Sequence, residues 1–176
     1  MDFRLEETLR QLSRTPDVLE AMLTGLPEAW LRTSEEEWTA FGVVGHMIHG
    51  EKTDWVPRIR IILEHGESQP FEPFDRTAHL AEIVGKALPQ LLDEFRNRRE
   101  ENLRQIHLLS LSETDLTKRG MHPALGPVAL GEYVAAWAVH DLTHLHQLTR
   151  ILAKHYQAAC GPLHDYMGVF RATRPA

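Results

Sequence analysis

Apolar residues recur along this chain at spacings of three, four and seven, with no alternation of useful length, so the sequence predicts helices and no strands. In Phe3 to Leu12 they fall at 5, 9 and 12 among charges, the period of an amphipathic helix. Thr15 followed by Pro16 reads as the start of a further helical piece to about Leu23, with Thr as cap and Pro in the first turn. Gly25 and Pro27 punctuate, and Glu28 to Trp38 reads as an irregular connection with an acidic patch. From Thr39 to Leu63, Phe41, Val44, Ile48, Trp55, Ile59 and Ile62 form one stripe. They predict a long core-facing helix that Pro57 bends near its last two turns.

His65 to Arg76, with Gly66, Pro70 and Pro73, reads as a long loop, followed by a short turn or helix at Thr77 to Val84. Gly85 and Pro89 bracket the next start, and Leu88, Leu91, Leu92, Phe95, Leu103, Ile106 and Leu109 mark a third long helix. Its densely charged middle, Arg96 to Glu101, reads as a solvated face. Ser112 to Gly131 is expected to be a second long loop, and about Leu130 to Tyr156 the last long helix, with Gly161-Pro162 closing the short stretch beyond it. Four principal helices joined partly by long connections predict an all-α fold, an antiparallel four-helix bundle with long connecting loops.

Composition narrows the class. A chain of 176 residues with 43% hydrophobic and 25% charged residues fits one globular domain, residues 1–176. The net charge of −6, with no dense basic cluster, argues against nucleic acid as a partner, because that affinity comes from neutralising phosphates. Cys160 is the only cysteine, and the N-terminus Met-Asp-Phe-Arg-Leu-Glu-Glu lacks the basic start and apolar stretch of a signal peptide, so a cytoplasmic protein is expected. No apolar run approaches the roughly 20 residues of a bilayer crossing, and no membrane association is expected.

Eleven histidines stand out. Those at 65, 79, 107, 122, 155 and 164 are scattered and read as surface or loop residues. His140 and His144 differ, because four residues apart on a helix they share one face, set into the apolar stripe of Tyr133, Ala136, Trp137, Leu148 and Ile151. Two imidazoles there can reach one ion, and a third would leave a tetrahedral metal one open position for water or substrate, as a catalytic site requires. His46, on the other long apolar helix, is the candidate third ligand, with His49 one turn on as its competitor. His146 points away from the pair. Glu51, on the apolar stripe, needs a partner such as Arg58 or a hydrogen bond from a ligand imidazole, which makes it the candidate for orienting a ligand. Asp141 is expected to be exposed or paired along its helix.

Other chemistries are absent from the sequence. It has no Glu-x-x-His of di-iron bundles, no His-Glu-x-x-His, no Cys-x-x-Cys, no phosphate loop or dinucleotide Gly motif, and no Gly-x-Ser-x-Gly.

Val43-Val44-Gly45-His46-Met47-Ile48-His49-Gly50-Glu51 and His140-Asp141-Leu142-Thr143-His144-Leu145-His146-Gln147 resemble the DinB-like (damage-inducible) superfamily. Glu37-Trp38, Phe74-Asp75-Arg76 and Gly120-Met121-His122-Pro123 extend the likeness over nearly the whole chain. The resemblance implies an up-up-down-down bundle, commonly a homodimer, with one divalent ion, zinc or nickel, on a histidine triad. That triad corresponds to His46, His140 and His144, in favour of His46 over His49. It also implies a small-molecule substrate and, from relatives that are S-transferases using bacillithiol, mycothiol or glutathione, a low-molecular-weight thiol. The expectation is a metal-dependent thiol transferase or hydrolase; the alternative is a stress-related binding bundle whose metal is structural or missing.

Overall fold

Five helices carry the bundle in a computed structural model that describes residues 3–171; Met1 and Asp2, at the head of the acidic N-terminus, lie outside them. In chain order the helices are α1 (Leu5–Leu23), a short α2 (Glu28–Leu31), α3 (Ala40–Thr53), α4 (Trp55–His65), a short α5 (His79–Glu82), α6 (Leu88–Leu109), a short α7 (Glu113–Leu116) and α8 (Leu130–Lys154). Between α7 and α8 lies a hairpin, β1 (Arg119–His122) paired antiparallel with β2 (Gly126–Ala129), with Arg119 opposite Ala129 and His122 opposite Gly126.

Several boundaries follow from local chemistry. The Thr39 hydroxyl accepts from the Gly42 amide at 3.1 Å and starts α3, satisfying one of the orphan N–H groups of its first turn. Gln90 and Glu132 reach back to the amides of Ala87 and Ala129 at the starts of α6 and α8, both at 2.8 Å.

The single bent helix expected over Thr39 to Leu63 is two helices that part at Asp54. Pro57 explains the position, since it gives the Thr53 carbonyl no N–H and its ring crowds that carbonyl, so the chain breaks ahead of the proline. Conversely, Thr15-Pro16 starts nothing: α1 runs through both, and Thr15 is buried in mid-helix. The irregular connection at Glu28 to Trp38 includes α2 and a bridge between Glu35 and Trp38.

The hairpin corrects the expectation of no strands. Its strands are four residues long and carry Gly120, Gly126 and Pro127, so no alternating signal marks them. Pro70 bridges to Met121, and Phe71 donates its amide to Met121 O at 2.9 Å, tying the loop after α4 to β1. Gly120 permits that approach, because a Cβ there would stand 2.6 Å from Ile62 Cγ1 and 2.8 Å from Phe71 Cζ.

The apolar core has two parts. Leu19 and Leu23 join the first half of α3, Leu88 to Phe95, Leu148 and Ile151 at one end; Leu9 and Leu12 join α4, Leu103, Ile106 and Leu130 to Trp137 at the other. α1, α6, α8 and the broken pair α3–α4 each pass from one cluster to the other, which gives the directions: α1 and α8 run one way, α3–α4 and α6 the opposite way. The bundle therefore has two parallel pairs, in the chain order up-down-down-up rather than up-up-down-down. The long connection from His65 to Ala87 returns the chain so that α6 can run parallel to α3–α4.

A buried polar layer separates the two clusters. The Arg99 guanidinium, 1% exposed, meets Asp141 at 2.6 and 3.0 Å and Glu51 at 2.9 Å. Asn102 Nδ2 donates to Glu51 Oε2 at 2.9 Å, Trp137 Nε1 to Glu51 Oε1 at 3.1 Å, and Thr15 Oγ1 to Asp141 Oδ2 at 2.6 Å. Two sequence expectations fall here. Arg96 to Glu101 is not wholly a solvated face, since Arg99 points into the bundle, and Asp141 is buried rather than exposed. A buried ion pair is tolerable only when its remaining donors and acceptors are also met, and six side chains from four helices do most of that here.

Candidate metal centre

His46 stands on α3, two turns after the Thr39 cap, and His140 and His144 stand one turn apart on α8, which runs antiparallel to α3. Their Nε2 atoms converge: His46 to His140 at 3.2 Å and His140 to His144 at 3.0 Å, with one ligand atom from each ring within 4.8 Å of the others. A tetrahedral ion with Zn–N bonds of about 2.0–2.1 Å holds its ligand nitrogens about 3.3 Å apart. The three rings therefore fit one ion. The cluster contains His46 and leaves out His49, which is buried with its ring 5.0 Å from Phe74. His146 is exposed.

The surroundings keep the rings neutral. Burial pushes His46 down to about 3, and the neighbouring imidazoles and the charge of Arg76 add to the effect. Burial likewise takes His140 down to about 2, assisted by His144, His46 and Arg99. His144 is lowered by burial too, against a hydrogen bond to Gln147 that favours its charged form. At neutral pH each of the three rings is uncharged and so has one bare nitrogen to offer, the state a metal needs.

The carbonyl of Gln147 gives one ring its orientation. His144 Nδ1 donates to Gln147 Oε1 at 2.9 Å, which leaves its Nε2 bare toward the other two rings. Nδ1 of His46 and of His140 is buried and meets no hydrogen-bond partner among the described residues. No carboxylate joins the cluster among those residues, so an ion held there would keep its full double charge.

Glu51 meets one of its two expectations: it is paired with a buried arginine, though Arg99 rather than Arg58, and it orients no ligand imidazole. Its oxygens are taken by Arg99, Asn102 and Trp137, and it contacts neither Arg58 nor a ligand imidazole. Arg58 instead pairs with Asp54 at 2.6 Å and donates to Glu72 O at 2.8 Å. The connection to the site is indirect: Trp137 stacks on Trp55 at 5.5 Å, and Trp55 meets the His140 ring edge-on at 5.1 Å.

The long connection between α4 and α6 supplies a wall beside the triad, and sequence reasoning missed the part that His79 plays in it. His79 is buried, not on the surface, and stacks on Trp38 with ring centroids 5.3 Å apart and planes 4° from parallel. The Trp38 and Phe74 rings both meet His46 edge-on at 5.3 Å, and His79 does so at 5.6 Å. The one sequence signal is Gly45: a Cβ there would collide with Ile83 Cγ2 and touch the His79 ring, so only glycine lets α5 lie flush against α3 beside His46.

A four-helix bundle in which three neutral imidazoles from two helices converge has the architecture of a bundle metalloprotein. The chain belongs to the DinB superfamily, whose profile matches residues 11–148 and so spans all three histidines. Among solved structures it is similar to YfiT from Bacillus subtilis, described as a probable metal-dependent hydrolase with an unusual four-helix bundle topology. The TM-score is 0.73 at 17% identity, over 85% of this chain and 86% of that one, a likeness of fold. No curated protein matches the sequence. Among the described residues no helix is long and apolar enough to cross a membrane.

Proposed function

We propose that this protein is a metal-dependent enzyme in which His46, His140 and His144 hold one divalent ion, zinc or nickel, and that it acts as a hydrolase or thiol S-transferase on a small electrophile. The observation that carries this reading is the convergence of three uncharged Nε2 atoms with no carboxylate among them. When bound, such an ion supplies charge that lowers the pKa of a water or thiol in its open position. Because all three ligands are neutral, nothing in the ligand set offsets that charge.

The chain's own groups do the remaining work. Gln147 fixes the His144 tautomer, the Arg99 layer locks α1, α3, α6 and α8 in register, and Trp38, Phe74 and His79 exclude water from one side of the triad. The likeness to YfiT supports the hydrolytic branch, and the family resemblance supports the thiol branch.

The two branches are separated by assaying zinc- and nickel-loaded protein on small activated esters without thiol, and on epoxides and alkyl halides with bacillithiol, mycothiol or glutathione. Turnover in either assay that disappears in His140→Ala supports an enzyme. A fully loaded protein inert in both, whose metal only raises its melting temperature, supports the structural alternative.

A further inference from the structure

We propose that the segment Phe74–His79, seated on Gly45, is the specificity wall of the metal site, and that it selects a substrate with a flat apolar body and an anionic group held by Arg76. The inference rests on the proposed metal reading and adds to it the class of substrate.

Two rings of this segment bracket His46. Phe74 lies 5.3 Å and His79 5.6 Å from the His46 ring, and Arg76 falls on the turn between them. Trp38, stacked on His79, completes a largely aromatic surface beside the triad. Phe74 and Trp38 are half-buried, so neither residue is sealed from solvent and an apolar body can lie against what each exposes.

The wall is built in rather than draped. Gly45 gives α5 room to touch α3, and Asp75 Oδ1 fixes the turn by accepting from Thr77 N and Thr77 Oγ1 at 2.8 Å and from Ala78 N at 3.1 Å. Those three bonds hold Oδ1 of the acid next to Arg76 on its own turn. Arg76 itself is exposed and makes no ion pair or hydrogen bond among the described residues, while its charge is felt at the His46 ring. An ion on the triad would attract any anion to itself. A second cation displaced from it, on a rigid turn, instead favours a molecule whose anionic group is separated from its reacting centre, and so orients that centre.

The test compares benzoate with benzyl alcohol, two probes of one shape, by calorimetric titration of full-length zinc-loaded protein and by NMR shifts of the Trp38 indole. Wild type is expected to bind benzoate about tenfold more tightly than benzyl alcohol. Arg76→Gln should remove most of that preference with zinc content and benzyl alcohol affinity unchanged, and Phe74→Ala should weaken both probes. Phenylphosphonate in place of benzoate shows whether the anion is carboxylate or phosphoryl in kind. Unchanged benzoate affinity in Arg76→Gln overturns the proposal, because the ion alone would then account for binding. Should wild type fail to take up zinc, the metal reading fails, and the wall is judged by the same probes and variants on the metal-free protein.

Discussion

Arg99 on α6 donates at 2.8 Å to the backbone carbonyl of Leu12 on α1, the acceptor that Pro16 leaves without its helical partner four residues on. A proline inside a helix deprives one carbonyl, and here a buried guanidinium takes it while pairing with Asp141 and Glu51. Removing this side chain would leave two buried carboxylates without a countercharge and the Leu12 carbonyl without its donor. Arg99→Met should lower unfolding free energy by about 3–5 kcal/mol in urea denaturation, the range for breaking one side of a buried ion pair. A loss below about 1 kcal/mol would show that water already satisfies the layer.

Gly45→Ala sets two effects against each other. Alanine favours a helix interior over glycine by about 1 kcal/mol, but its Cβ would overlap Ile83 Cγ2 while making ordinary contact with His79. Overpacking costs about 1–3 kcal/mol, so a net loss is expected, accompanied by displacement of α5. Faster amide exchange confined to 77–84 would check it; a stabilised protein with α5 unmoved would contradict it.

Acid should destabilise the metal-free protein through the triad. The folded values of His46, about 3, and His140, about 2, lie below the ordinary 6.5, because burial disfavours the charged rings. Below about pH 6.5 the unfolded chain therefore binds more protons than the native one, and stability falls as pH drops toward the folded values. It is level in these groups above about pH 7. Each ring contributes a slope approaching about 1.4 kcal/mol per pH unit in that window. Chelator-treated protein, unfolded in urea between pH 7 and 4.5, should show the slope, and His46→Gln/His140→Gln should flatten it. An equal slope in both proteins would place the titration elsewhere.

Gln147→Leu keeps the shape of the residue and removes the acceptor for His144 Nδ1. Losing such an outer partner weakens metal affinity by about 10–100-fold, so competition with a chromophoric chelator should register that drop with the fold intact. Unaltered affinity would mean that the helix alone aims the ring.

Much of this was legible in the sequence, and the exceptions have physical reasons. The stripes of α3, α6 and α8 gave the bundle, and the i,i+4 spacing of His140 and His144 placed two imidazoles together, because both depend only on helical period. Arg99 escaped because it stands among Arg96, Arg98, Glu100 and Glu101, and composition cannot show which member of a charged run turns inward. The same holds for Asp141, whose burial depends on Arg99 arriving from another helix. His79 looked solitary along the chain, since its neighbours Trp38 and His46 lie far away in sequence and the glycine that admits it sits on another helix. The hairpin was hidden by strands too short and too rich in Gly and Pro to alternate.

X-ray absorption on untagged protein, together with its metal content, decides whether His46, His140 and His144 share one ion. One zinc or nickel per chain is expected, with three imidazole nitrogens at about 2.0–2.1 Å, and loss of the ion in each of His46→Ala, His140→Ala and His144→Ala. Protein that retains no divalent metal after reconstitution, or binds it through other residues with the triad replaced, would contradict it.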